Sequence, residues 1–391
     1  MPTIQTSSRS ANTALKQPKE LFSYSRTVGG TWNFDEEVSK EEAISYFYFP
    51  DSDVNKKINL SDGLQNFQKI PDMLNVADFP SYLRSIQNHE QETGKKIKAD
   101  IITFRGIMTK LLTLPYNLNS PIDMYAIAYD GQIFLKNNDE LDQSRRDKEQ
   151  EELSSNPQKK EHLERCEYVG YKFETITTLP KPWAQCSRPM IEKRPKKVVN
   201  NYEQYISVVR SGIGKVKTVL AGEVDCIWDF LPEGGENILP HYAELKTSRV
   251  VDTPHHAMQF EKKLFRTWAQ CFLIGIKRVV YGFRDDQYIL KDVEVYDTEE
   301  IPLLIKDNEI PRSNNPRILC IEALKWYGAL LEWLVQSIDR NNEQVAYKIR
   351  YVPGQNQVQL SECSKEENEK LRNGAILSEE FKQWRDSIRQ T

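Results

Sequence analysis

The stretches Gly222-Glu223-Val224-Asp225-Cys226 and Ala243-Glu244-Leu245-Lys246-Thr247 decide how this chain folds. Each is short and bordered by apolar residues, which is typical of a β-strand. The segment between them includes Leu231-Pro232-Glu233-Gly234-Gly235-Glu236-Asn237, which is rich in turn-forming residues. The pattern therefore predicts two strands that fold back beside each other as a hairpin.

This hairpin would collect three carboxylates and one ammonium group. Side chains alternate along a strand, so Glu223 and Asp225 are expected on one face, as are Glu244 and Lys246. Three like charges repel one another unless a cation neutralises them, and oxygen ligands suit Mg²⁺ or Mn²⁺. The arrangement predicts a metal-dependent site that cleaves phosphodiester bonds, although a solvated strand face would show the same bare pattern.

Composition limits the class of protein. The chain has 391 residues with 53 basic and 57 acidic side chains, a net charge of −4, so contact with nucleic acid must come from a local basic lining. The six cysteines are scattered without a C-x-x-C pair, which fits neither a zinc site nor a disulfide framework and indicates a reducing compartment. We find no apolar signal segment and no run of 18 apolar residues, and therefore expect an intracellular protein without membrane contact.

The order of predicted elements indicates a mixed α/β chain. Residues 1–20 are expected to form a flexible tail, and residues 21–391 a single catalytic domain. Strands are predicted at 98–104, 166–176, 216–229, 241–249, 278–284 and 288–296, and helices at 106–114, 255–274 and 316–338. In the strand at 166–176, alternation would place Lys172 and Glu174 on one face.

Asp225 followed by Glu244-x-Lys246 matches the D…(D/E)-x-K pattern of restriction-endonuclease-like nucleases. The first strand is also too apolar for a sheet edge, because Leu220-Ala221 and Cys226-Ile227-Trp228 flank its acids. These acids are therefore expected to be partly buried, and buried carboxylates seldom lack a partner.

Several further motifs extend the pattern in a fixed order. They are Thr103-Phe104-Arg105-Gly106, Gly170-Tyr171-Lys172-Phe173-Glu174, Gly222-Glu223-Val224-Asp225, Glu244-Leu245-Lys246, Trp268-Ala269-Gln270 and Gly282-Phe283-Arg284. With them, the chain resembles the DXO-type RNA decapping nucleases from about residue 21 to its C-terminus. It looks most like the fungal nuclear member that partners the nuclear 5′→3′ exoribonuclease. The resemblance implies an α/β fold of two twisted, mixed β-sheets flanked by helices around a restriction-endonuclease-like core.

The resemblance also implies roles for individual residues. One or two divalent cations, Mg²⁺ or Mn²⁺, would be held by four carboxylates and one backbone carbonyl: Glu174, Glu223, Asp225, Glu244 and Leu245. The implied catalytic residues are Glu174, Asp225, Glu244, Lys246 and Gln270. The implied contacts to the substrate are Arg105, Glu174, Glu223, Lys246 and Gln270. From the residues alone, Gln270 falls opposite the apolar stripe of its helix, where a solvent-exposed glutamine is the other interpretation.

The implied function is hydrolysis at RNA 5′ ends in the nucleus. It includes release of pyrophosphate from 5′-triphosphate RNA and removal of unmethylated, incompletely methylated and NAD-type caps. A 5′→3′ exoribonuclease activity would accompany these in some branches, and a nuclear exoribonuclease would be the protein partner that the chain activates. Two alternatives stay open, a mainly non-catalytic partner that stabilises the exoribonuclease and a DNA endonuclease with the same metal core. The basic run Lys193-Arg194-Pro195-Lys196-Lys197 would line an RNA path, act as a nuclear import signal or be a solvated loop.

Overall fold

The computed structural model describes residues 1–71, 78–232, 235–312 and 316–389, and its strands in this part of the chain form two sheets. The strands are β1 Thr3–Gln5, β2 Lys19–Arg26, β3 Trp32–Asn33, β4 Tyr46–Phe47, β5 Ile101–Phe104, β6 Ile122–Tyr129, β7 Gln132–Asn137, β8 Thr178–Leu179, β9 Gln204–Ile213, β10 Val216–Glu223, β11 Cys226–Ile227, β12 Tyr242–Arg249, β13 Arg278–Arg284, β14 Leu290–Asp297, β15 Ala346–Tyr351 and β16 Gln357–Glu362.

Helices cover both sheets. They are α1 Glu36–Glu42, α2 Phe79–Thr93, α3 Arg105–Thr113, α4 Asp139–Ser154, α5 Pro157–Thr177, α6 Arg188–Glu192, α7 Pro254–Ile274, α8 Ile301–Asp307, α9 Cys320–Ser337, α10 Lys365–Lys370 and α11 Glu379–Arg389. Among the described residues, no helix is both long enough and apolar enough to cross a membrane.

Both sheets are mixed. The larger runs in the order β1-β16-β15-β6-β7-β5-β10-β9-β2-β3, with β10 parallel to β5 and antiparallel to β9. The smaller runs in the order β14-β13-β12-β11-β4-β8, with β12 parallel to β13 and antiparallel to β11. This confirms the predicted α/β class with two mixed sheets flanked by helices.

The strand β10 is buried on both faces, which explains its nearly continuous apolar sequence. Leu220 packs into a core cluster with residues of α3, α7 and α9, whereas its neighbour Val219 packs on the opposite face with residues of α2. The first cluster also contains Val279 and Tyr281 of β13. The cluster around α3, α7 and α9 therefore joins the two sheets.

The predicted hairpin is confirmed only in part. Cys226 pairs with Ala243 and Ile227 with Tyr242 in an antiparallel ladder, as expected. Glu223, however, ends β10 in the larger sheet, so the chain crosses from one sheet to the other between Glu223 and Cys226. Residues 233–234 of the predicted turn lie outside the described residues.

The strand predicted at 166–176 is wrong, because this segment lies in the helix α5. The Asn156 side chain caps the helix by accepting a hydrogen bond from the backbone N–H of Lys159, and Pro157 takes the first helical position. Val169, Phe173 and Ile176 follow helical spacing and pack against the smaller sheet. Lys172 and Glu174 therefore do not share a face.

Residues 1–20, expected to be a flexible tail, include paired backbone. The strand β1 pairs with β16 in the register Thr3–Gln359. The backbone N–H of Ser10 donates to the carbonyl of Lys325 at 2.9 Å, and that of Lys16 donates to Gly212 at 2.7 Å. These hydrogen bonds hold the segment against the larger sheet and α9, contrary to the expectation.

Candidate active site

Four acidic side chains from four parts of the fold approach one another beside a single cleft. Glu174 comes from the last turn of α5, Glu223 from the end of β10, Asp225 from the crossing between the sheets, and Glu244 from β12. Glu174, Glu223 and Asp225 line the cleft, which has a volume of about 610 Å³. Glu244 is buried close to them, and the four carboxylates interact electrostatically. We call these four residues the acid cluster.

Asp225 is held in place by β12, a strand of the smaller sheet. Its Oδ2 accepts a hydrogen bond from the backbone N–H of Leu245 at 2.6 Å. The same oxygen lies 3.9 Å from Nζ of Lys246. The orientation of this carboxylate is thus fixed by β12.

Glu244 carries two cationic partners. Its Oε2 accepts a hydrogen bond from Nη1 of Arg105 at 2.9 Å, and its Oε1 accepts one from Nζ of Lys246 at 2.6 Å. Burial opposes ionisation of this side chain, but Arg105 and Lys246 outweigh burial and lower the pKa of Glu244 to about 2. Glu244 is therefore a fixed negative charge, and the same pairing raises the pKa of Lys246.

The other three acids have raised pKa values. Burial, followed by the charges of Glu244 and Glu223, raises the pKa of Asp225 to about 7. Burial and the neighbouring carboxylates, Asp225 first, raise the pKa of Glu174 well above its usual range, and burial also raises the pKa of Glu223. Arg105, Lys246 and Arg26 lower the pKa of Glu223, but they do not offset its burial and the charge of Glu244.

The donor set fits a hard divalent cation. Carboxylate oxygens are the ligands that Mg²⁺ and Mn²⁺ prefer, and a divalent cation would offset the burial and mutual repulsion that raise the pKa values of Glu174 and Asp225. In the described ranges no three of these acids already stand in metal-ligating geometry. Binding of an ion would therefore draw acids of the cluster into a closer arrangement. The metal contact expected of the Leu245 carbonyl stays a prediction.

Arg105 reaches the cluster because it begins α3 directly after β5. The guanidinium is buried, and a glycine across from it leaves the necessary space. A Cβ added to Gly222 would lie 3.1 Å from Cβ and Cδ of Arg105 and 3.0 Å from Cδ1 of Ile274. The structure thus pairs Arg105 with Glu244, whereas its expected contact to substrate phosphates stays a prediction.

Gln270 lies on α7, as predicted, and is half-buried. In the described part of the chain it makes no hydrogen bond to the acid cluster. Its neighbour Cys271 is buried and lies near enough to Glu244 and Arg105 for their charges to affect its pKa. The helix therefore flanks the site, and the role expected of Gln270 is still a prediction.

Sequence reasoning missed Gln204, whose Nε2 donates to Oε2 of Glu223 at 3.5 Å. The antiparallel register Val216–Ile213 continues to Glu223–Ile206, which brings Gln204 to the cleft. The turn residues Gly214-Lys215 between β9 and β10 were the available signal for this hairpin.

The comparison with protein families decides the class. The family described as RAI1 like PD-(D/E)XK nuclease matches residues 16–382. The chain belongs to this family. The resemblance seen in the sequence motifs is therefore confirmed.

Relatives match over nearly their whole length. The chain is 54% identical to Decapping nuclease RAI1 of Debaryomyces hansenii over 389 residues, covering 100% of this chain and 99% of that protein. It is 53% identical to Decapping nuclease RAI1 of Candida albicans, with 98% of each chain covered.

Solved structures agree with the fold. The crystal structure of Candida albicans Rai1 in complex with pU5-Mn²⁺ matches with a TM-score of 0.96 and 51% identity over 99% of both chains. Scheffersomyces stipitis Rai1 in complex with (3′-NADP)⁺ and calcium ion matches with a TM-score of 0.94 and 51% identity, over 99% of this chain and 100% of that one.

Proposed function

We propose that this chain is a metal-dependent decapping nuclease that hydrolyses phosphodiester and phosphoanhydride bonds at RNA 5′ ends. The observation that carries the proposal is the approach of Glu174, Glu223, Asp225 and Glu244 beside one cleft, with Lys246 among them. A purely structural protein gains nothing from four crowded carboxylates, because their repulsion destabilises the fold. The names of the curated relatives support the same function.

The cofactor is a divalent metal, Mg²⁺ or Mn²⁺, held by the acid cluster. When bound, the ion would lower the pKa of a water molecule and stabilise negative charge on the attacked phosphoryl group. The Mn²⁺ and calcium ion in the two relatives support a divalent ion at this site.

The protein residues have separate tasks in this scheme. Arg105 and Lys246 hold Glu244 ionised, so one ligand is ready at any working pH. Lys246 also lies 3.9 Å from Asp225, and its ammonium group can orient a nucleophile or stabilise an oxyanion beside the acids. Gln270 would contact the scissile phosphate from α7.

The substrate range follows from a shared reacting atom, the phosphorus at the 5′ end of the RNA that is retained. We expect release of pyrophosphate from 5′-triphosphate RNA, removal of unmethylated and incompletely methylated caps and of NAD-type caps, and 5′→3′ exonuclease activity where the RNA end remains bound. The complexes of relatives with pU5 and with (3′-NADP)⁺ support a site that accepts both an RNA and a dinucleotide. Only the group beyond the attacked phosphorus differs among these substrates.

Nuclear localisation and activation of a nuclear 5′→3′ exoribonuclease belong to the same proposal. They rest on the resemblance to the fungal nuclear member of the family. The alternative is a mainly non-catalytic partner that stabilises the exoribonuclease, which the intact acid cluster disfavours.

The test is a product analysis with the Glu223→Gln, Asp225→Asn double variant. With Mg²⁺ or Mn²⁺, the wild-type protein should release pyrophosphate from 5′-triphosphate RNA and cap dinucleotides from capped RNAs, and the variant should release neither. A Glu149→Gln, Glu151→Gln variant removes the same charge from the exposed surface of α4 and should retain turnover. Turnover by the double variant would defeat the assignment, and its co-purification with the exoribonuclease would show that the two roles are separable.

A further inference from the structure

The basic run at residues 193–197, which we call the lysine loop, borders the same cleft as the acid cluster. Lys193, Lys196 and Lys197 are exposed and line the cleft together with Glu174, Glu223 and Asp225. Their ammonium groups form no ion pair with any described residue, although two further acids, Glu42 and Glu203, line the same cleft.

Two buried cations hold the backbone of this loop. Arg194 is only 6% exposed, and its Nη1 donates to the carbonyls of Tyr48 and Ile176, each at 2.5 Å. Its Nη2 lies 3.5 Å from Oδ2 of Asp53. Arg194 is therefore an anchor, and its charge is not available to a ligand.

Lys172 is the second anchor. It is 2% exposed, and its Nζ donates to the carbonyl of Pro195 at 2.6 Å. Burial lowers the pKa of this ammonium group, because removing the charge from water costs free energy. The hydrogen bond to Pro195 forms despite this cost. Lys172 lies on α5, which also supplies Glu174, so the loop and the acid cluster are fixed to the same helix.

We propose that the lysine loop binds the phosphates of the RNA chain on the 3′ side of the scissile bond, with Lys172 and Arg194 as positioning residues. This inference rests on the proposed function of the cleft. Three ammonium groups spread along a loop at the mouth of the cleft can contact successive phosphates, whereas a released cap or pyrophosphate is one compact group. A strand of RNA also supplies the negative charge that these unpaired lysines lack.

The test compares two substrates with the same 5′-triphosphate end, a dinucleotide and an RNA of about 20 nucleotides, in Mg²⁺. The Lys193→Gln, Lys196→Gln, Lys197→Gln variant should raise KM for the long RNA about tenfold at low salt and leave kcat nearly unchanged. Each phosphate contact to a single strand contributes about 0.7 to the slope of log affinity against log salt, so the slope should fall by about 2. The dinucleotide should show little change in KM.

A matched control removes the same charge elsewhere. Lys148, Lys159 and Lys160 are exposed on α4 and α5, make no ion pair with any residue in the described ranges and do not line the cleft. Their replacement by Gln should leave the salt slope of the long RNA as in the wild type. An equal rise in KM for the dinucleotide would overturn the inference, because the lysines would then bind the 5′-triphosphate that both substrates share.

Two other outcomes are decisive. Unchanged kinetics on both substrates, together with loss of nuclear accumulation, would overturn the inference and make the loop an import signal. If the wild-type protein turns over neither substrate, the proposed function itself fails, which this design separates from failure of the lysine loop alone.

Discussion

Replacing Asp225 by Asn should stabilise the metal-free protein at alkaline pH. The side chain keeps its shape, and the amide oxygen can still accept the hydrogen bond from the backbone N–H of Leu245. The substitution removes a buried negative charge. Burial, together with the charges of Glu244 and Glu223, raises the pKa of Asp225 from 3.8 to about 7.

The sign and size follow from proton linkage. An acid whose pKa is higher in the folded than in the unfolded state binds protons preferentially when folded, so stability falls as pH rises from about 4 to about 7 and is level above. At 1.36 kcal/mol per pKa unit, the ionised Asp225 costs the metal-free fold at most about 4 kcal/mol at pH 8. The Asn variant avoids this cost, and we expect it to be about 1–4 kcal/mol more stable.

Thermal unfolding in EDTA measures the effect. For a chain of 391 residues, a change of 1 kcal/mol in the free energy of unfolding shifts the melting temperature by about 1 °C. The variant should therefore melt about 1–4 °C higher than the wild type at pH 8, and this difference in melting temperature should vanish towards pH 4. Saturating Mn²⁺ should reverse the order, since only the wild-type site gains the binding energy of the ion.

A control with the opposite sign is available. A hydrogen bond from Lys291 lowers the pKa of Asp285, so Asp285→Asn should destabilise the protein at pH 8. A wild-type protein that is as stable as Asp225→Asn in EDTA at pH 8 would refute the reasoning, because the partners of Asp225 would then fully offset its burial and the repulsion by Glu244 and Glu223.

Three further predictions concern neighbouring features. Gly222→Ala should lower the free energy of unfolding by about 1–3 kcal/mol and reduce turnover, because its Cβ would press on Arg105 and Ile274; an unchanged melting temperature would contradict the tight contact. Lys172→Met removes the hydrogen bond to the Pro195 carbonyl, so amide hydrogen exchange at Lys196 and Lys197 should accelerate about tenfold relative to that of the strand β10. Exchange at the wild-type rate in the variant would show that another contact holds the loop. A metal must displace protons from acids with raised pKa values, so the affinity for Mn²⁺ measured calorimetrically should rise with pH through about 7. A pH-independent affinity would mean that Asp225 is already ionised in the apo site.

The sequence predicted the elements that carry a long or strictly periodic pattern. The strands β12 and β13 and the helix α7 lie within a few residues of their predicted bounds, because alternation or helical spacing persists along each of them. The helix α5 was missed because the short motif Gly170–Glu174 alternates like a strand. The pair Asn156-Pro157 is a usual start of a helix, and Asn156 caps α5 in the structure.

The same contrast between what a local pattern predicts and what it cannot predict holds for the site. Motif order predicted Glu174, Glu223, Asp225, Glu244 and Lys246, and the structure brings these side chains to one place. The pairing of Arg105 with Glu244 joins residues 139 positions apart and depends on the packing of α3 against β10, which no local pattern encodes. The crossing of the chain between two sheets at Asp225 was hidden for a similar reason, since a strand break looks the same whichever sheet follows it.

The distribution of positive charge around the cleft explains why the cluster needs an ion. Arg105 and Lys246 both donate hydrogen bonds to the carboxylate of Glu244, and together they stabilise its negative charge. Less positive charge is left to stabilise the carboxylates of Glu174, Glu223 and Asp225. Arg194 and Lys172 hold the backbone of the lysine loop, and in the described residues its three exposed lysines form no ion pair with the acid cluster. Negative charge inside and positive charge at the mouth are thus kept apart by the fold, and a divalent cation within and a polyanionic chain outside satisfy both without rearranging the scaffold.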